Sequence, residues 1–468
     1  MKLLKLLYNK EEKGIYCIRT ILGIRITTKP YSLKMQEKIR RLEELVSLNL
    51  VSNLDIYKNY KDNLLSKKYK SNLPCSNNIR ILFDFRTYEY TYDRGIGRYI
   101  FNLVNHILKN YPEIDVSIIK NSEKNDPIFD YNHDKVKFYY YDKINKLFEY
   151  NFQYRFDFLF LDDILLIHNK LDNIHKILNN VYNNVVMENV DNIVGISHDL
   201  IPTVFLNNFF DEIPIYYYHY FFILNNLKYF THFFANSEST KNDLIKYANI
   251  ESDKITNIYG GVATKFNNLK IHEYSFSKRL NHIVYISDIT AKKNSKGLIR
   301  AFAIAYNNNK IPKDSKLYLC YKLNKESRQE LLDEMEKVNI SEKQIIITGF
   351  ISDEKLIEII SKAKASFMTS FYEGLGMPIL ESYACNTPSF ASNVSSTKEI
   401  VLEECSFNPY DDNDIANSIV KAFNDEELCK KSLEFGKKLL KTQCNWDIIS
   451  EKVVNKLYKL KNNNINIR

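Results

Sequence analysis

The pattern of hydrophobic and polar positions changes near residue 79, where short apolar runs begin to alternate with amphipathic stretches. Residues 79–85 form an apolar run of the buried, β-rich kind, which predicts a strand. Tyr99 to Leu108 then has apolar residues on one helix face, namely Ile100, Leu103, Val104 and Ile107. A strand, a glycine turn and a helix in this order predict the first unit of a Rossmann-like α/β fold.

The alternation of strands and helices continues along the chain and divides into two halves. Further apolar runs predict strands at residues 116–119, 158–161, 193–197, 233–235, 255–259, 282–287, 316–321, 344–348, 365–368 and 388–393. A polar stretch over residues 267–279 has the composition of a linker. We therefore predict Rossmann-like domains over 78–268 and 269–445, followed by an amphipathic helix within 446–468.

Residues 1–77 do not follow this pattern and are predicted to form an N-terminal extension. Lys34 to Leu50 has helical periodicity, and Lys67 to Asn78 is polar and linker-like. Short basic and apolar pieces precede them. We interpret the extension as a decoration of the first domain, while a role at a membrane surface or in oligomerisation stays open.

Composition narrows the classes of function. The 65 Lys and Arg residues exceed the 57 Asp and Glu residues by 8, which favours anionic ligands. No basic arm with interleaved aromatic residues is present, so nucleic acid is not an expected partner. The seven cysteines lack C-x-x-C spacing and no H-E-x-x-H motif occurs, so neither a disulfide framework nor a zinc site is indicated.

The sequence also bears on localisation. The longest apolar run, Ile213 to Leu224, is about half the length that a transmembrane helix needs. The first residues lack the apolar core and cleavage site of a signal peptide. We expect a cytoplasmic protein.

The most informative stretch follows the strand predicted at residues 365–368. Gly374 and Gly376 allow a tight turn and close approach of a ligand to the backbone. Pro378 suits the beginning of a helix, which we place near Met377. The free N–H groups and the positive dipole end of that helix favour a phosphate or a sugar hydroxyl at the glycine loop.

Two glutamates flank this helix start. Glu373 precedes the turn, and Glu381 lies about one turn inside the helix. Carboxylates can accept hydrogen bonds from the hydroxyl groups of a sugar and a ribose. The simpler interpretation is a surface helix with two solvated glutamates. The run Glu-Gly-Leu-Gly-Met-Pro-Ile-Leu-Glu, however, resembles the signature of the family 4 glycosyltransferases, in which two glutamates are separated by seven residues.

The resemblance implies a role for each part of this run. Glu373 would orient the transferred sugar and Glu381 would bind the ribose of the nucleotide. The loop and helix start would hold the donor through Gly374, Leu375, Gly376 and Met377.

Two motifs of the first half also match the family. Gly95 and Gly97 lie in Gly-Ile-Gly-Arg-Tyr, which resembles a loop of mannosyltransferase-like members near the donor phosphates or the acceptor. His198 and Asp199 open a His-Asp-x-x-Pro element at a predicted strand end, where the family's histidine lines the cleft beside the sugar. A turn satisfied by its own side chains is the structural alternative.

Two motifs of the second half complete the resemblance. Lys292 and Lys293 stand where the family often has an Arg-Lys pair on the donor's pyrophosphate, although Ser287, Thr290 and Ala291 depart from the usual loop. A solvated lysine pair is the alternative. A later loop that lies against the nucleotide base in the family corresponds here to Gly349 and Phe350.

Taken over residues 79–460, the resemblance implies the GT-B architecture, in which two Rossmann-like domains face each other across a cleft. The second domain would bind a nucleotide-sugar donor, and the first would bind a glycan or lipid-linked glycan acceptor. The implied reaction transfers a hexose, mannose in the first instance, with retention at the anomeric carbon. Glu373, Lys293 and His198 would be the catalytic residues.

The implied chemistry also sets expectations for cofactors and membranes. Positive groups would stabilise the diphosphate leaving group in place of a metal ion, so no cofactor and no metal are expected. A peripheral contact with the inner face of the cell membrane stays open. Two alternatives remain, a nucleotide-sugar epimerase of the same architecture and a non-catalytic sugar-nucleotide-binding subunit.

Overall fold

The computed structural model describes residues 8–13, 16–21, 24–28, 78–92, 95–120, 122, 126–140, 152–165, 186, 188–204, 220, 223–224, 227–263, 266, 273–321 and 323–465. The helix predicted over 34–50 and the linker-like residues 67–77 lie outside these residues.

The N-terminal extension contains a small antiparallel sheet that the sequence analysis did not predict. Its strands are β1 (Tyr8–Lys13), β2 (Tyr16–Ile21) and β3 (Ile24–Thr28), in the order β1-β2-β3. Gly14 and Gly23 stand in the two-residue intervals between the strands, which is the sequence signal of a hairpin. Because β1 contains several charged residues, it forms no apolar run, and no strand was predicted there.

The first large sheet has seven parallel strands in the described residues. The order is β10-β9-β8-β7-β4-β5-β6. Its strands are β4 (Arg80–Asp84), β5 (Asp115–Lys120), β6 (Lys137–Tyr140), β7 (Phe156–Leu161), β8 (Val190–Ser197), β9 (His232–Ala235) and β10 (Ile255–Asn257). Parallel sheets are covered on both faces, which explains the apolar runs in the inner strands β4, β7 and β8.

The second large sheet has six parallel strands in the described residues. The order is β13-β12-β11-β14-β15-β16. Its strands are β11 (His282–Tyr285), β12 (Lys316–Leu319), β13 (Ile345–Ile347), β14 (Ala365–Met368), β15 (Ser389–Ser392) and β16 (Ser406–Phe407). The strand order reverses between β11 and β14, and open α/β sheets bind ligands at the carboxyl ends of strands at such a point.

The helices of the described residues connect and cover these sheets. They are α1 (Tyr88–Thr91), α2 (Gly95–Asn110), α3 (Ile201–Val204), α4 (Glu238–Ala248), α5 (Ser295–Asn307), α6 (Lys325–Lys337), α7 (Asp353–Lys362), α8 (Met377–Ala384), α9 (Thr397–Ile400), α10 (Asp412–Asn424), α11 (Glu426–Thr442) and α12 (Trp446–Ile465).

One helix start differs from the sequence prediction, and another agrees with it. Helix α2 begins at Gly95, so the predicted glycine turn is its first helical turn. A Cβ atom on Gly97 would overlap the Thr91 carbonyl oxygen, and this close packing explains a glycine inside the helix. Helix α8 begins at Met377 as predicted, but Pro378 is its second residue.

Helix α12 packs on the first sheet's side of the molecule, although the second sheet precedes it in sequence. Its buried apolar side chains join the core formed around α2 and β4, and they are Trp446, Ile449, Val453, Val454 and Leu457. Asp447 accepts hydrogen bonds from Asn110 Nδ2 at 2.8 Å and Lys109 Nζ at 3.2 Å. The last helix is therefore part of the first domain's core.

Candidate active site

The loops that follow β11 and β14 lie against each other because these two strands are neighbours in the second sheet. The Thr369 hydroxyl donates to the carbonyl oxygens of Lys293 at 3.2 Å and Asn294 at 3.0 Å. The Phe371 N–H donates to the Lys292 carbonyl oxygen at 2.7 Å. These bonds fix the position of the lysine pair relative to the glycine loop.

Lys293 and Glu373, which the sequence analysis predicted separately, form an ion pair. Lys293 Nζ lies 2.6 Å from Glu373 Oε1, and the Ser370 hydroxyl donates to the same oxygen at 2.5 Å. The side chains are 15% and 9% exposed. Burial would lower the pKa of Lys293, but the Glu373 carboxylate outweighs it, and the Lys293 pKa is raised. Lys293 is therefore held as a cation.

The pair does not consume the hydrogen-bonding capacity of the lysine. An ammonium group has three N–H donors, and Glu373 takes one of them. The other two N–H groups can donate hydrogen bonds to a phosphate oxygen of a ligand bound beside Lys293.

Two glycines of the loop have different structural roles. Gly376 caps α8 with φ +93°, a backbone conformation that favours glycine. A Cβ atom on Gly374 would overlap the His198 carbonyl oxygen and press on Asp199. Sequence reasoning assigned both glycines to ligand approach, whereas Gly374 allows the second domain to touch the first.

His198 and Asp199 follow β8 and lie at this contact. His198 is buried, and its Nε2 atom lies 2.8 Å from the Asp162 carbonyl oxygen. Because a carbonyl oxygen only accepts, that nitrogen carries a proton. Asp199 Oδ1 accepts from the Ile201 N–H at 3.0 Å, which is the turn contact considered above as the structural alternative. Asp199 also contributes to the raised pKa of Lys293, after the larger effects of burial and Glu373.

Tyr99 belongs to this region, although the sequence analysis did not name it as a site residue. Its ring meets the His198 ring edge-on at 5.2 Å between centroids, and its hydroxyl donates to the Tyr259 carbonyl oxygen. Burial raises the pKa of Tyr99 well above its usual value. A Cβ atom on Gly260 would lie between Tyr99 and the buried Leu375 of the loop. The Tyr99 ring thus packs against the His198 ring and helps to hold it in place.

The remaining predicted residues are more peripheral. Lys292 is half-buried and Met377 is half-buried at the helix start. Glu381 is half-buried on α8. Gly349 has φ +66°, and the Phe350 side chain is 83% exposed. Such an exposed ring is suited to cover a planar ligand.

Ser370 and Tyr372 were also missed by sequence reasoning. Ser370 contacts the Glu373 carboxylate, and the Tyr372 hydroxyl donates to Asp243 of α4. Neither residue belongs to the motif from Glu373 to Glu381, from which the site was predicted. The conformation of the loop places both of them at the site.

Within the part of the chain that the structure describes, no three His, Cys, Asp or Glu side chains are grouped so that they could hold a metal ion. The expectation that no metal is needed stays a prediction.

Two parallel α/β sheets whose loops meet at His198, Gly374 and the Lys293–Glu373 pair form the architecture of a GT-B protein. The chain resembles the crystal structure of HepE from Anabaena in complex with UDP and glucose, with a TM-score of 0.58 and 13% identity. That match covers 82% of this chain and 100% of the other. The expected fold class is confirmed.

Residues 268–439 match the family described as Glycosyl transferases group 1. This match to the second half of the chain confirms the resemblance drawn from the motifs. The serotype-specific mannosyltransferase WbdA of Escherichia coli is 30% identical over 246 residues, or 50% of this chain and 29% of that protein. The O-antigen chain mannosyltransferase B of Escherichia coli is 26% identical over 182 residues, or 38% of this chain and 46% of that protein.

The chain spans only part of the length of these relatives. The chain spans less than a third of the length of WbdA and less than half of the second mannosyltransferase. Among the described helices, none is both long enough and apolar enough to cross a membrane.

Proposed function

We propose that the chain transfers a hexose, mannose in particular, from a nucleotide sugar to a carbohydrate or lipid-linked glycan in cell-surface polysaccharide synthesis. The observation that carries the proposal is the buried Lys293–Glu373 pair at the strand-order reversal of the second sheet, against His198 of the first domain. The match to mannosyltransferases of O-antigen synthesis supports the choice of sugar and pathway class.

The second domain would stabilise the leaving group. Negative charge grows on the nucleoside diphosphate as the glycosidic bond breaks. Lys293, held as a cation, and the positive dipole end at the start of α8 supply positive charge that needs no rearrangement. Glu373 would accept hydrogen bonds from the sugar, and Glu381 from the ribose.

The first domain would meet the sugar and the acceptor. His198 and Asp199 lie directly against the glycine loop, and the first turn of α2 brings Gly95 and Gly97 to the same edge of the first sheet. Retention at the anomeric carbon is part of the proposal, since the signature of Glu373 to Glu381 resembles that of retaining enzymes.

The proposed reaction also involves a particular class of donor, no requirement for metal ions and a place in the cell. Crystal structures of HepE from Anabaena contain UDP and glucose in one case and UDP-glucose in another, which supports a nucleotide-sugar donor here. We also propose a metal-independent reaction at the cytoplasmic side, with the chain at most peripheral to the membrane.

The test is a screen of nucleotide hexoses by thermal shift, followed by turnover. A donor at 100 times its dissociation constant should raise the free energy of unfolding by about 2.7 kcal/mol. Release of nucleoside diphosphate is then measured with and without a glycan acceptor, and the anomeric configuration of the product is determined by NMR. Acceptor-dependent release with retention supports the proposal.

The same measurement tests the two alternatives. An epimerase would convert the donor without an acceptor, and a non-catalytic subunit would bind without turnover. Either result would refute the transferase assignment.

A further inference from the structure

The beginning of helix α4 is capped by both domains at once. Ser237, which precedes α4, accepts a hydrogen bond from the Thr240 N–H at 3.0 Å. Glu399 of the second domain accepts from the Glu238 N–H at 2.9 Å and from the Ser239 N–H at 2.7 Å. The first N–H groups of a helix have no partner within it, and they attract negative charge. The capping of α4 is therefore complete only when Glu399 is in place.

The segment that carries Glu399 also holds Glu373. The Ser395 hydroxyl accepts from the Glu373 N–H at 2.9 Å, and the Ser396 hydroxyl donates to the Glu373 carbonyl oxygen at 2.9 Å. Ser395 has φ +42°, an unfavourable conformation for a serine. We call residues 395–399 the bridging segment, because one end fixes the backbone of Glu373 and the other end caps α4.

A second set of contacts joins α4 to the same loop. The Ser237 hydroxyl donates to the Gly374 carbonyl oxygen at 2.7 Å. The Tyr372 hydroxyl donates to Asp243, one turn into α4. Both neighbours of Glu373 in the sequence are thus tied to the first domain.

We propose that Glu399 is a positioning residue that couples the approach of the two domains to the placement of Glu373. The expected change in kcat rests on the proposed transferase function, whereas the expected change in how closely the domains approach each other does not. When α4 is docked, Glu399 and Tyr372 hold the loop on two sides, and Glu373 faces Lys293. When α4 moves away, Glu399 loses two N–H donors and the bridging segment loses its anchor on the first domain.

The experiment compares Glu399→Ala and Glu399→Gln with the wild-type chain. Glu404→Ala is the matched control, because Glu404 is an exposed acid five residues further along the same domain. The kcat is measured at saturating donor and acceptor, the Kd of free UDP and GDP by calorimetry, and the radius of gyration by small-angle X-ray scattering.

Glu399→Ala should lower kcat by about tenfold or more, the factor that corresponds to losing a hydrogen bond to a charged group. The Kd of the free diphosphate should change by less than about twofold, since Glu399 acts through the loop and not on the nucleotide. The radius of gyration should increase. Glu399→Gln keeps one acceptor oxygen and should lie between wild type and Glu399→Ala, while Glu404→Ala should match wild type.

Wild-type kcat and radius of gyration in Glu399→Ala would overturn the proposal. A loss of diphosphate affinity in step with kcat would also overturn it, because Glu399 would then belong to the donor site. If Glu399→Ala does not fold, Glu399→Gln decides by the same criteria. If wild type turns over no donor, the function proposed above fails, and the scattering comparison still decides whether Glu399 holds the domains together.

Discussion

The ion pair between Lys293 and Glu373 allows a sharp test, because its contributions to stability and catalysis can be separated. Lys293→Met keeps most of the side chain's length and removes the charge, and Glu373→Gln does the same for the acid. Removing one partner of a buried pair leaves an uncompensated charge and costs about 3–5 kcal/mol. With side chains 15% and 9% exposed, we expect the lower end, about 3 kcal/mol, for each single variant.

The double variant should be more stable than either single variant, because it buries no unpaired charge. For a domain of this size about 3 kcal/mol corresponds to a fall of about 6–12 °C in Tm. We expect that fall in Lys293→Met and Glu373→Gln, and most of it to be recovered in the double variant. Thermal unfolding by calorimetry measures all three.

Catalysis should behave differently from stability. Lys293→Met should lower kcat by about 10²-fold or more, because the lost positive charge matters most when the leaving group is most negative. The double variant should remain as inactive as the worse single variant. Recovery of stability without recovery of kcat would assign the pair to the reaction, whereas recovery of both would make it purely structural.

An exposed pair of the same domain is the control. Lys296 and Glu330 also form an ion pair, at 2.8 Å, but their side chains are 43% and 57% exposed. Exposed pairs contribute about 0–1 kcal/mol, so Lys296→Met should leave Tm and kcat nearly unchanged. Two results together would refute the reasoning: a Tm of Glu373→Gln equal to that of Lys296→Met, and a Tm of the double variant no higher than that of Lys293→Met. The ion pair between Lys293 and Glu373 would then not form in solution.

Four further predictions address other parts of the molecule. Glu381→Ala should weaken binding of free nucleoside diphosphate by about 1.5–3 kcal/mol if it binds the ribose, and unchanged affinity in calorimetry would remove that role. Gly374→Ala should lower kcat by about 10²-fold, since a methyl group there pushes the loop off the His198 carbonyl oxygen; turnover like that of wild type would show that the domains do not need this contact. Treatment with EDTA should leave turnover unchanged, and restoration of lost activity by Mg²⁺ or Mn²⁺ would contradict the metal-independent reaction. A chain that begins at Ser76 should fold and act on a soluble acceptor, because β1, β2 and β3 form a sheet of their own; an insoluble product would place residues 1–75 in the core.

Much of the fold could be predicted because parallel strands are buried on both faces. The strand at Ala365–Met368 and the helix start at Met377 have the predicted bounds, since an apolar run ends there and glycine and proline punctuate the turn. Strand β6 was missed because it lies at the edge of its sheet, where Lys137 and two tyrosines do not form an apolar run.

The site was predictable residue by residue, but its contacts were not. Lys293 and Glu373 stand 80 positions apart and meet only because β11 pairs with β14. The contact between Gly374 and His198 requires the two domains to meet, which no local pattern encodes. Glu399 illustrates the same limit, since its two N–H donors lie about 160 residues earlier in the chain.

The position of α12 has a consequence for the order in which the protein can fold during synthesis. Helix α2 ends at Asn110, and Trp446 is the first residue of the helix that covers it. At about 5–20 residues per second, the ribosome needs about 15–70 s to make the chain between them. Throughout that interval the apolar face of α2 lacks the helix that packs on it. The first domain is therefore translated first but completes its core last.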